Sequence, residues 1–199
     1  DEKKIVKDIA KARKQGADII AISLHFGDEY QRQPNTQQKQ LVENLLKAGA
    51  DIILGSHPHV VQPYKIFNFP RKNGKSRKAV AIYSMGNFIS GQTQKYTDLG
   101  VILQVNIRKK LPEKTTEITG IKAIPTWVHR YTLNNKYNYR ILPLETTVTQ
   151  KKDPLLTTSQ YPVLKAYLQE MNAHLNSLNK KDQTAVKTAP TQTNSASAE

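Results

Sequence analysis

Two histidines separated by one proline, His57-Pro58-His59, follow Gly55-Ser56 at the end of an apolar run. On an extended segment their rings would face opposite ways. A bend at Pro58, with the close backbone approach a glycine allows, lets both aim at one point. His25 closes a second β-branched run that begins at Asp18. Three neutral imidazoles meeting at one place would suit zinc, manganese or iron, with an oxygen ligand still needed for a hydrolytic centre. The competing reading has each histidine cap its own strand through hydrogen bonds. Around His25 the string His25-Phe-Gly-Asp-Glu-Tyr30 adds two carboxylates and a phenol. Glu29 is a candidate for orienting a ligand or moving a proton, and Asp28 for ending a turn. A third patch is Tyr83-Ser-Met-Gly-Asn-Phe88, in which Asn87 either donates its amide to an oxyanion or holds an ordinary Gly-Asn turn. No Gly-x-Ser-x-Gly elbow surrounds Ser56, Ser84 or Ser90, and no Gly-x-Gly-x-x-Gly or Walker loop occurs.

The elements that must carry these residues follow from apolar spacing. Ile5, Val6, Ile9 and Ala12 recur at helical spacing before Gly16, and Asp18 to Leu24 reads as a buried parallel strand ending at His25. Pro34-Asn35-Thr36 opens a second helix with Leu41, Val42, Leu45 and Leu46 on one face, closed by Gly49, and Asp51 to Leu54 is the next strand. Gly16-Ala-Asp-Ile-Ile20 and Gly49-Ala-Asp-Ile-Ile53 repeat one pattern, a helix stop feeding a strand that runs into histidine. The unit is βαβ, with parallel strands whose C-terminal ends share one sheet edge. His25, His57 and His59 are therefore expected at one rim. Further strands are expected near Val60–Phe67, Lys78–Tyr83, Gly100–Ile107, Glu117–Ile124 and Val128–Thr132, then one helix over Tyr161–Leu178. The five cations of Arg71-Lys-Asn-Gly-Lys-Ser-Arg-Lys78 are placed on a hairpin loop. His174 is expected at the surface.

The 199 residues hold 38% hydrophobic positions, enough for one sizeable core. Thirty Lys and Arg against 16 Asp and Glu leave +14, which favours anionic partners. With no cysteine, disulfides, Cys-ligated zinc and thiol catalysis are excluded. No apolar run approaches the roughly 18 residues of a transmembrane helix, so the chain as it stands is expected to be soluble. Residues 180 to 199 are polar and low in complexity, a disordered tail by composition.

Ser23-Leu-His-Phe-Gly-Asp-Glu-Tyr30, Gly55-Ser-His-Pro-His-Val-Val-Gln62 and Tyr83-Ser-Met-Gly-Asn-Phe88, in this order and spacing, resemble the CapA family of capsule synthesis proteins, which includes the PgsA-type component of poly-γ-glutamate synthesis. The likeness covers about residues 1 to 107, with Pro125-Thr-Trp127 resembling the segment beyond. It implies an α/β, metallophosphatase-like (calcineurin-like phosphoesterase) sandwich with α/β/β/α layers, incomplete at its N-terminus. Residues 1–150 would be the later part of that domain, 151–179 a helical extension and 180–199 the tail. His25, His57 and His59 match late histidine ligands of metallophosphoesterases, and Asn87 falls in the family's Gly-Asn-Phe motif near the pocket. The family's early Gly-Asp and Asn-rich segments have no counterpart here, so an upstream half and a membrane anchor are expected outside this chain.

The resemblance implies a component of poly-γ-glutamate capsule synthesis or export, outward-facing at the cell membrane and working with other synthase subunits. If it is catalytic, the expectation is metal-assisted hydrolysis or transfer at a phosphoester or amide bond, with metal-bound water as nucleophile. His25, His57 and His59 would hold a divalent zinc, manganese or iron ion, Glu29 would orient a ligand or move a proton, and Asn87 would contact substrate oxygen. A non-catalytic rival binds and guides the polyanion within the synthase. Nucleic-acid binding through the positive charge, Trp127 and Tyr131 ranks last, because it leaves the histidines unexplained.

Overall fold

The computed structural model describes residues 1–70, 76–113 and 115–179; the expected disordered tail lies outside the described residues. The chain runs α1 (Glu2–Lys14), β1 (Ala21–His25), α2 (Thr36–Lys47), β2 (Ile52–Ser56), β3 (Val61–Pro70), β4 (Ser76–Met85), β5 (Leu99–Lys110), β6 (Thr115–Leu133), β7 (Lys136–Pro143), α3 (Leu144–Gln150) and α4 (Gln160–Leu175). The architecture is mixed α/β with two sheets. In the first, ordered β1-β2-β4-β3, strands β1, β2 and β4 are parallel and β3 is antiparallel to β4. The second is an antiparallel meander, β5-β6-β7.

Each face of the first sheet buries a different apolar set. Ile9 of α1 and Val42, Leu45 and Leu46 of α2 pack on Ile53, Ala79, Ala81 and Tyr83. The opposite face, through Ile52, Val80 and Ile82, meets Leu99, Val101 and Ile118 of the second sheet together with Leu144, Leu164, Met171 and Leu175 of α3 and α4. The layers are thus two helices, the first sheet, then the second sheet with the C-terminal helices. Alternation decides which face each strand residue serves: Ile52 faces the second sheet and Ile53 the helices. Among the described residues no helix is long and apolar enough to cross a membrane.

The expected βαβ unit is present, with Ala21 opposite Ile52 and His25 opposite Ser56. Three departures have physical causes. The two strands expected between Glu117 and Thr132 are one long strand, β6, whose first half pairs with β5 and whose second half also carries β7. Asn134 and Asn135, both in the left-handed region, make the tight β6–β7 turn, so the aromatic and basic run after it is a strand. Helix α3 is only seven residues long and too short for periodicity to reveal.

Of the five cations expected on a hairpin loop, Arg71, Lys72 and Lys75 lie outside the described residues. Arg77 is not a loop decoration. It sits on β4 and donates to the carbonyls of Leu46 (2.5 Å), in the last turn of α2, and Ala50 (2.7 Å), just past it, and to Asp51 Oδ1 at 3.0 Å. Asp51, with a side chain 5% exposed, also pairs with Arg13 of α1 and accepts from the Ile20 amide at 2.9 Å. One buried carboxylate therefore joins α1, β1, β2 and β4. Replacing it removes the acceptor for two guanidinium groups and a buried amide, so Asp51→Ala should lower stability by about 3–5 kcal/mol in urea unfolding. The exposed Asp18→Ala, at the matching place in the first repeat, should leave the urea midpoint close to that of the wild type.

Candidate functional site

The ends of β1 and β2 deliver the histidines. His25 is the last residue of β1, and Ser56, opposite it, is the last of β2. Beyond them the Phe26 amide donates to Ser56 O at 3.0 Å and the Tyr30 amide to Pro58 O at 2.8 Å, lacing the two loops together. The rings of His25 and His57 stand 4.6 Å apart, and those of His57 and His59 6.2 Å apart. Glu29 Oε1 lies 3.8 Å from His59 Nε2, and the Tyr30 ring stacks over His59 at 6.0 Å. Asn87 arrives from the end of β4, with its Oδ1 3.2 Å from His59 Nδ1. All five residues singled out from sequence, His25, Glu29, His57, His59 and Asn87, thus come together at one rim.

The backbone there is forced. His57 (φ 102°), His59 (φ 60°) and Tyr30 (φ 61°) all occupy the left-handed region, a conformation that costs a residue bearing Cβ of order 1–3 kcal/mol and persists only where the surroundings impose it. Two glycines make room. A Cβ at Gly55 would lie 1.9 Å from Tyr83 O, and one at Gly86, itself at φ 67°, would lie 2.6 Å from Leu99 O. Two buried glutamines, which spacing did not reveal as important, brace the approach. Gln38 closes a capping box with Asn35, accepting from the Asn35 amide at 3.0 Å, and its Nε2 donates to Gln62 Oε1 at 2.9 Å. Gln62 Nε2 in turn donates to the carbonyls of Gln31 and Gln33. The Asn35-x-x-Gln38 pattern was the available signal for the first of these.

The hydrogen bonds of Asn87 fix a tautomer. Its Nδ2 donates to Thr97 O at 3.0 Å, a partner that can only accept. Oδ1 is therefore the atom facing His59, and His59 Nδ1 must carry the proton. In the neutral ring, His59 Nε2, on the Glu29 side, keeps its lone pair. The rim can hold a polar ligand, accept a proton at Nε2 and keep a carboxylate within reach, which is the minimum for acid–base work.

Among the described residues no group of three or more His, Asp or Glu side chains is placed to hold an ion. The bond from His59 Nδ1 to Asn87 leaves Nε2 as the nitrogen that could ligate one. Asp28 accepts from Asn35 Nδ2 at 2.8 Å, tying the His25 loop to the start of α2. Ser84 and Ser90 accept from nearby backbone amides, and Ser56 donates to the Leu24 carbonyl of the neighbouring strand. Burial pushes the Tyr83 phenol up to about 12, marking it as core.

The other two histidines are separate from the rim. His174 is not at the surface: half-buried in α4, its Nε2 lies 2.9 Å from Val61 O. His129 is buried between Trp127 (5.0 Å) and Tyr131 (5.4 Å), and its Nδ1 accepts from Arg140, which pairs with Asp153 at 2.5 Å. Burial is the main cause lowering the pKa of both, with Arg140 and Arg32 adding to it.

A mixed α/β protein with a histidine-lined rim at the C-terminal edge of a parallel sheet is the class these observations define. Residues 1–92 match the family model described as bacterial capsule synthesis protein PGA_cap. The chain is 34% identical over 146 residues to the PGA biosynthesis protein CapA of Bacillus subtilis (strain 168), an alignment covering 72% of this chain and 36% of that protein. It is 33% identical over 107 residues to the capsule biosynthesis protein CapA of Bacillus anthracis, covering 52% of this chain and 24% of that protein. The chain belongs to the CapA family of capsule biosynthesis proteins, and its matches span 36% and 24% of the length of those two relatives.

Two measurements check this geometry. Long-range 1H–15N spectra should find neutral His59 protonated at Nδ1, and Asn87→Ala should shift it toward the Nε2–H form. For His129 and His174 the folded state favours the neutral ring, so their contribution to stability is full above the unfolded pKa of about 6.5 and is lost as pH falls through the lower folded values. The melting temperature should therefore drop between pH 7.5 and 5, and the drop should shrink in His174→Gln.

Proposed function

We propose that this protein acts in the biosynthesis or export of a capsule polymer, poly-γ-glutamate, and that the histidine rim is where it engages polymer or precursor. One observation carries the reading. The three motifs that meet at the rim, around His25, His57–His59 and Asn87, all lie in the stretch matched by the capsule family. In this role His59 Nε2 accepts or holds a proton, Glu29 steadies the protonated ring, and Asn87 orients it. His25 and His57 line the approach and offer hydrogen bonds to an amide or phosphoester oxygen. The protein works beside other synthase subunits at the outward face of the cell membrane.

The finer version of this reading is a metallophosphatase-like site, in which His25, His57 and His59 would serve as nitrogen ligands. Among the described residues no group of three or more His, Asp or Glu side chains is placed to hold an ion, so that version needs further ligands. A second reading, a subunit that guides the polyanion without turning it over, is favoured by that same incomplete ligand set and by the +14 charge.

The test is a deletion in the host bacterium, complemented with the whole gene or with its His25→Ala, His57→Ala, His59→Ala form, checked for equal protein level. Cell-associated γ-linked glutamate should fall at least tenfold in the deletion and stay low in the variant. Unchanged polymer in the deletion would overturn the capsule role. Stoichiometric metal in purified wild type, lost in the triple variant, would favour the metallophosphatase-like version. Absence of metal from protein offered zinc, manganese and iron would favour guidance.

A further inference from the structure

On the other side of Asn87 from the histidines lies a cleft of about 400 Å3, bordered by the Ser90–Tyr96 loop, β6, β7 and the start of α4. Asn87 connects the two places, since its Nδ2 also donates to Gln92 Oε1 at 2.8 Å and Gln92 lines the cleft. Several polar groups of the lining turn donors toward the cleft. Gln92 has its carbonyl oxygen committed to Asn87, and Gln160 has its own committed to the Thr157 amide at 2.8 Å, so among the described residues each keeps a free amide NH2. Lys95 and Arg130 rest on the rings of Tyr96 (4.9 Å) and Tyr137 (5.0 Å) and form no ion pair among the described residues. Asp98, the carboxylate of the lining, accepts from Trp127 Nε1 at 2.8 Å. Trp127 and Tyr139 add flat apolar surface.

A lining of amide donors and unpaired cations beside aromatic faces selects a ligand that is anionic, rich in acceptors and partly apolar. We propose that this cleft binds a segment of anionic polyamide, γ-linked glutamate, beside the histidine rim. The assignment rests on the capsule reading for the identity of the polymer. Each γ-linked unit carries a carboxylate for Lys95 or Arg130, an amide carbonyl for Gln92 or Gln160, and two methylenes to lie against Trp127 and Tyr139. A chain leaving the cleft past Gln92 meets Asn87 and then His59.

Trp127 is the sole tryptophan, so its fluorescence reports arrival in the cleft. Titration with a γ-linked glutamate decamer should change that signal. Lys95→Gln/Arg130→Gln should weaken the apparent Kd at least tenfold with an unchanged melting temperature. Lys3→Gln/Lys7→Gln, which removes equal charge from the exposed face of α1, should stay within twofold. Equal loss in both pairs, no loss in the cleft pair, or no binding by wild type would each overturn the assignment. Failure of the capsule reading is seen separately: binding lost only in the cleft pair supports the cleft even where gene deletion leaves the polymer untouched.

Discussion

The carboxylate of Asp51 is the constraint on which the rest depends. Buried and bracketed by Arg13 and Arg77, it fixes the starts of β1, β2 and β4 relative to the helices packed over them. A charge so placed is tolerable only because two cations and an amide surround it, and those partners come from three different elements. Register set at one end of a parallel sheet is inherited at the other. Four residues on from Ala21, and four on from Ile52, the strands end at His25 and Ser56 side by side. At a rise of about 3.3 Å per residue, the structural ion cluster and the rim stand more than 10 Å apart. The groups that hold the fold together therefore do not compete with those that face a ligand.

That separation lets the rim be strained. His57, His59 and Tyr30 sit in backbone conformations that none of them favours in isolation, and a free loop would relax out of them. The Gln38–Gln62 pair prevents this from beneath. Both side chains are almost wholly buried, so every hydrogen bond lost from them would leave an unpaired polar group in the core. Gly55 adds a steric condition, because the β2 backbone runs too close to Tyr83 O for any side chain. The loop holds its shape because the core beneath would lose more than the loop would gain.

Much of this was legible in the residues. Apolar spacing gave α1, α2, α4 and the first two strands to within a few positions, and the strand-end histidines pointed to a shared edge because parallel strands must align. What spacing could not supply was partnership across distance. Asp18 and Asp51 stand in the same five-residue pattern, yet one is exposed against Lys109 and the other is buried between two arginines. The difference is made by Arg77, 26 residues further on, whose neighbours read as a loop. His174 looked like a surface residue because its neighbours in α4 are polar, whereas its contact is a carbonyl of β3 reached only in the folded state. Strand β7 was hidden by a composition of Asn, Tyr and Lys that suits an exposed strand and a turn equally.

Asn87 has a structural place in the motif, independent of any substrate contact. One amide side chain has two ends, and here they look in opposite directions: Oδ1 to His59, Nδ2 to Thr97 O and Gln92 Oε1. Thr97 O settles which end is which, and both neighbours then have no choice. His59 must donate from Nδ1, and Gln92 must accept with its oxygen and keep its NH2 free. Aspartate at position 87 would satisfy His59 but leave Thr97 O facing an acceptor and turn Gln92 to spend its NH2 on the carboxylate. A shorter polar residue would reach one side or the other. Asparagine is the side chain of this length that donates at one end and accepts at the other, so the protonation pattern of the rim and the donor pattern of the cleft are set by a single orientation.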